Sequence, residues 1–81
     1  MAKKSPSFSG NTALVGLGVA IRAARKAKGL SQEALAELAD IDRSYMGGIE
    51  RGEHNLAIIN LIKIANALGV KTSDLLSNAN N

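Results

Sequence analysis

Residues 32–51 read QEALAELADIDRSYMGGIER, and the rest of the chain is interpreted around them. Ser31 precedes the stretch as a good N-cap for a helix over Gln32–Ala39, with Glu33 favourably placed near the positive helix end. Leu35, Ala36, Leu38 and Ala39 are the expected buried side of this helix. Asp40 and Ile41 form a short turn, Asp42 caps a second helix over residues 43–51, and Gly52 ends it. Two helices that cross steeply across so short a turn need a small residue where they approach and apolar residues aimed at a common core. Ala36 is the small residue; Leu35, Ala39, Ile41, Met46 and Ile49 are the inward set.

The outward set of the second helix is then Arg43, Ser44, Gly47 and Gly48, with Tyr45 at the edge. Two adjacent glycines in a helix interior cost about 1 kcal/mol each relative to alanine. Either the backbone must come close to a ligand there, or the pair packs against another helix.

Upstream, residues 1–11 contain the only proline, are rich in Ser, Gly and Lys, and show no periodicity, as expected of a flexible tail. A helix capped by Asn11 or Thr12 is predicted to run to Lys28 and stop at Gly29, with Leu14, Leu17, Ile21 and Ala24 inward. Val15 and Val19 lie off that stripe and offer a second apolar face. Gly16 and Gly18 weaken the first turns and are no nucleotide loop, because no strand precedes them and a third glycine is missing. Downstream, residues 53–56 form a loop. The spacing predicts a helix over residues 57–68 burying Ile58, Leu61, Ile62, Ala65 and Leu68, then a stop at Gly69. A short last helix over residues 73–77, capped by Thr72, is expected to bury Leu75 and Leu76. The predicted organisation is a tail (1–11), one domain (12–77) and a frayed end (78–81).

With 81 residues there is room for one small domain. Although 46% of residues are apolar, there is one Phe, one Tyr and no Trp, so the core is built from Ala, Leu, Ile and Val. That favours packed helices over sheets. The absence of cysteine excludes disulfides and thiolate metal sites, and one histidine is too few for a His-based metal site or a Ser/His/Asp or Cys/His catalytic cluster. No cofactor, metal or small-molecule substrate is expected, and the chain is not read as an enzyme. The apolar run at 13–21 follows two lysines, like a signal peptide, but lacks a clean cleavage site and falls far short of the roughly 20 residues that span a membrane. The net charge of +3 is compatible with an anionic polymer as partner. Arg22, Arg25, Lys26 and Lys28 crowd one segment, and Glu33, Glu37, Asp40 and Asp42 fall on the next.

The pieces IRAARKAKGLSQEALAELA, IDRSYMGGIERGEHN, LIKIANALGV and SDLL together resemble the helix-turn-helix family of phage repressors and Cro-type regulators, also called the xenobiotic-response-element family. The likeness covers residues 17–76. The DRSY, GGIER and NL segments are most similar to the controller proteins of restriction–modification operons. The resemblance implies an all-α, compact five-helix bundle of the lambda-repressor-like DNA-binding class. It further implies a sequence-specific transcriptional regulator, a homodimer on a palindromic operator, with helix 43–51 in the major groove of double-stranded DNA. The location it implies is cytoplasmic, on bacterial or phage DNA. The alternative on the same fold is an antitoxin-like or other protein-binding module.

By the same resemblance, Arg43, Ser44, Tyr45 and Gly48 fall at base-reading positions, and Gln32, His54 and Asn55 at phosphate-contacting ones, with Gln32 equally a base-edge contact. Tyr45 is equally readable as a packer at the core edge, and His54 as a solvated loop residue. Arg25 and Glu50 are the implied structural ion pair. The dimer surface is expected on the last helix and the end of the fourth, with Val15 and Val19 as a rival. Three positions depart from the pattern. Asp40 replaces a glycine in the turn, Leu56 a proline before the fourth helix, and Lys71 a capping serine.

Overall fold

Asn11 opens the first helix, its side-chain oxygen accepting from the backbone N–H groups of Ala13 and Leu14 at 2.9 and 3.2 Å. The computed structural model describes residues 11–79, and the tail expected over residues 1–11 otherwise lies outside them. From that cap the chain forms α1 (Thr12–Ala27), α2 (Gln32–Ala39), α3 (Arg43–Glu50), α4 (Ile58–Leu68) and α5 (Thr72–Ala79), with no strand among the described residues. The all-α, five-helix expectation is met. Ser31 caps α2 through Ala34 N–H at 3.0 Å. Gly69 ends α4 in the left-handed region (φ +71°) that costs glycine little.

Helix α1 crosses both α3 and α5, while α2 packs against α3 and α4. Ile21, Leu35, Met46, Ile64, Leu68 and Leu75 are almost completely buried where these helices meet. Burying apolar side chains of this size is worth about 1.5–3 kcal/mol each, so these six, one or two from each helix, lead a core that smaller buried residues such as Ala36, Ala39 and Ala65 complete. Gly18 is buried where α1 meets the end of α3. A β-carbon there would collide with the backbone oxygen of Glu50 and lie 2.7 Å from that of Ile49. The glycine that weakens α1 by propensity is what lets α3 approach it.

Four expected core residues lie on the surface instead. Leu38 is 61% exposed, because the stripe of Leu35, Ala36 and Ala39 points roughly 100° away from it on a helix of 3.6 residues per turn. On α4 the buried stripe is Leu61, Ile64, Ala65 and Leu68, an i, i+3, i+4, i+7 set. Ile62 lies one step out of that stripe and Ile58 is on the first turn of the helix, and both are exposed. Ile64, absent from the predicted set, is fully buried. On α5 Leu75 is buried but Leu76 is exposed.

Helices α1, α3 and α4 each begin or end one residue inside the expected bounds, and both ends of α5 differ. Thr72 lies inside α5, and the carbonyl of Lys71 accepts from Asp74 and Leu75 N–H in its place. The helix continues through Asn78 and Ala79, part of the expected frayed end; residues 80–81 lie outside the described chain.

Candidate nucleic-acid interface

The turn before α3 is built on Asp40, the one non-glycine residue with positive φ among the described residues (φ 58°, ψ 51°). Aspartate enters this region more readily than most side chains, and the Ile41 N–H closes the turn on the Ala36 carbonyl at 2.8 Å. Asp42 then caps α3, accepting from Ser44 N–H at 3.1 Å, from Tyr45 N–H at 3.3 Å and from the Ser44 hydroxyl. The Ser44 hydroxyl bond first, and the Tyr45 amide next, hold the Asp42 carboxyl below its ordinary range.

Helix α3 has two unlike faces. Met46, Ile49 and Glu50 point into the core, whereas Arg43 and Ser44 are exposed. Glu50 is the anchor. Its carboxylate takes Arg25 Nε at 2.7 Å and Nη2 at 3.1 Å, a bidentate pair between α1 and α3. The pair is buried, with side-chain exposures of 10% for Arg25 and 2% for Glu50. Arg25 Nη1 also donates to the Leu30 carbonyl at 2.7 Å, and Gln32 Nε2 donates to Glu50 Oε1 at 2.9 Å. The ion pair expected between Arg25 and Glu50 is present, and it ties α1, the α1–α2 loop, the start of α2 and the end of α3 together. It aims the outer face of α3.

That face is shaped by its glycines. Gly47 and Gly48 are both buried, covered by side chains of this chain. A β-carbon on Gly47 would lie 3.3 Å from Arg51 Nη1 and 3.5 Å from Gln32 Oε1, and one on Gly48 would collide with His54 Nε2. The His54 ring is stacked on Tyr45 with centroids 4.6 Å apart and a tilt of 35°. The expectation that Gly48 faces the groove is therefore corrected: the imidazole of His54 lies over it. Packing, the second reading of the glycine pair, is what the structure displays, although the partners are side chains and not another helix.

A family model described as Helix-turn-helix matches residues 21–75. The chain belongs to the helix-turn-helix family of phage-repressor and Cro-type regulators. As a member it is a DNA-binding transcriptional regulator of that type. It is 40% identical over 68 residues to the control protein C.MunI of a Mycoplasma species, covering 83% of this chain and 92% of that protein. The crystal structure of the restriction–modification controller protein C.AhdI from Aeromonas hydrophila is 50% identical, with a TM-score of 0.76 over 76% of this chain and 94% of that one. C.Esp1396I bound to a 19 base pair DNA duplex is 33% identical, with a TM-score of 0.76 over 85% of this chain and 96% of that one.

On this helix-turn-helix scaffold the residues singled out from the sequence fall into three groups. Arg43, Ser44 and Asn55 are exposed. Gln32, Tyr45 and His54 are half-buried, with Tyr45 also packed against the core edge. Gly48 is buried. Arg51, read from the sequence only as the end of a helix, is the C-cap of α3 and follows Arg43 and Gly47 at i+8 and i+4 spacing. Its guanidinium reaches Glu53, Nε to Oε2 at 2.9 Å and Nη2 to Oε1 at 3.1 Å. The i, i+4, i+8 spacing was the signal for it. No group of three or more potential metal ligands occurs among the described residues, and none of their helices is long and apolar enough to cross a membrane.

Proposed function

We propose that this protein is a sequence-specific regulator of the restriction–modification controller type, acting as a homodimer that inserts α3 into the major groove at each half of a palindromic operator. The observation that carries the reading is the pairing of an exposed Arg43 at the start of α3 with a buried anchor, Glu50, at its end. A reading helix must be aimed, and an exposed arginine at its tip can bond bidentately to guanine O6 and N7. Ser44 and Tyr45 are the accompanying base-reading residues. Gln32, His54 and Asn55 flank the helix, where phosphates of the groove edges pass. Regulators of this design work in the cytoplasm, on bacterial or phage DNA.

A single module of this size reads few base pairs, whereas two copies about 34–36 Å apart read successive major grooves. A second copy is supported by apolar side chains left on the surface of α4 and α5: Ile58 and Ile59 are 63% and 57% exposed, Ile62 is exposed one turn further along α4, and Leu76 is exposed on α5. This shifts the proposed contact from the end of α4 to its start. The same isoleucines would serve an antitoxin-like module, whose partner would be a different chain.

Selection of bound sites from a random DNA pool, followed by light scattering of the free protein and of the complex, tests the reading. Palindromic sites bound by two copies are expected. Arg43→Ala should weaken binding to the selected operator roughly 10- to 100-fold while changing random-DNA binding far less. Equal losses on both would reduce Arg43 to a phosphate contact, and a monomer that enriches no site would favour the protein-binding alternative.

A further inference from the structure

Arg51 is the C-cap residue of α3, about two turns on from Arg43, and its side chain is 60% exposed. It covers the buried Gly47, with Nη1 3.3 Å from the place a β-carbon would take, so the absence of a side chain at residue 47 leaves room for the guanidinium there. Nε and Nη2 face Glu53, whose side chain is 41% exposed. These two nitrogens form the fork with which an arginine grips a carboxylate or a phosphate bidentately. Glu53 lies two residues on, just past Gly52, so it reaches Arg51 without ordering any distant segment. An exposed pair of this kind is screened by water and easily exchanged.

We propose that Glu53 competes with DNA phosphate for Arg51 and thereby restrains the protein's affinity for DNA of any sequence. The inference rests on the DNA-binding reading above. Before Arg51 can grip a phosphate, the carboxylate must let go and remain beside a polyanion. Phosphate contacts carry no sequence information, so the restraint acts alike on operator and random DNA, and it limits how much protein is held on random sites. The Arg51 guanidinium, by hydrogen bonding first and by its charge second, keeps the Glu53 carboxyl below its usual range, so the competitor stays ionised near neutral pH.

The test is a double-mutant cycle of Glu53→Gln and Arg51→Ala, using a random-sequence duplex as probe and binding measured across a salt series. Circular dichroism confirms that each variant is folded. Glu53→Gln is expected to tighten binding roughly two- to fivefold, the scale of releasing one exposed pair. It should also steepen the fall of log K with log salt by about 0.9, one extra phosphate contact. In the Arg51→Ala background the same substitution should give little gain and no change of slope. An equal gain in both backgrounds would mean that Glu53 acts only as one negative charge in the general field, and the proposal is overturned while DNA binding stands. A wild-type protein that binds no duplex at any salt would overturn both.

Discussion

The imidazole of His54 occupies the space that a β-carbon on Gly48 would require. The loop after α3 is thus seated on the middle of that helix, and the same ring stacks on Tyr45. Alanine is better than glycine in a helix by about 1 kcal/mol, but here it would expel the ring and forfeit an aromatic contact worth about 0.5–1.5 kcal/mol. Gly48→Ala is expected to leave the wild type no more stable, or less so, yet to stabilise His54→Ala by about 1 kcal/mol. Urea melts of the four proteins measure it. The same change in both backgrounds would show that His54 does not need the glycine.

Glu50 carries the anchor between α1 and α3. Removing one member of a buried ion pair strands the other, at a cost of typically 3–5 kcal/mol, and Gln32 would lose its acceptor as well. Glu50→Ala is expected to lose that much in denaturant unfolding, whereas Arg43→Ala, at an exposed position, should lose almost nothing. An unchanged midpoint for Glu50→Ala would falsify the anchor.

Gly18→Ala sets propensity against packing. Propensity alone predicts a gain of about 1 kcal/mol. The obstacle is the backbone of Glu50 and Ile49, which cannot swing aside as a ring can. A net loss of about 1–3 kcal/mol is therefore expected, as for other overpacked contacts. A more stable Gly18→Ala protein would show that α1 and α3 can separate without cost.

Asp42 makes helix capping depend on pH. Its folded-state carboxyl is held below the ordinary range, chiefly by the Ser44 hydroxyl bond. A depressed carboxyl contributes stability that is full above the unfolded value of about 3.9 and is lost as pH falls through the lower folded value. The melting-temperature gap between wild type and Asp42→Ala should be constant near neutral pH and close as the pH drops below about 3.9. A gap that persists in strong acid would show that the ionised cap is not its source.

Much of this was legible in the residues because the signals are local. Asn11, Ser31 and Asp42 cap helices where their side-chain oxygens can reach the next free N–H groups. Leu38, Ile58, Ile62 and Leu76 were misplaced because apolar character tells only which residues could be buried. Which of them are buried depends on where the neighbouring helices stop. The candidate site is legible in part: Arg43 and Ser44 are exposed as expected, but Arg51 reads in the sequence as a helix end, and only the fold lays its side chain over Gly47.

By itself, then, the sequence determined the five helices, the glycine stops after the first, third and fourth, and the helix-turn-helix unit at 32–51, since capping, periodicity and turn chemistry act over a few residues. Only the tertiary structure decided what the glycines are for. Gly18 and Gly48 are identical in composition, yet one admits a backbone and the other an imidazole, because what a missing side chain makes room for is set by residues 32 and 6 positions away along the chain.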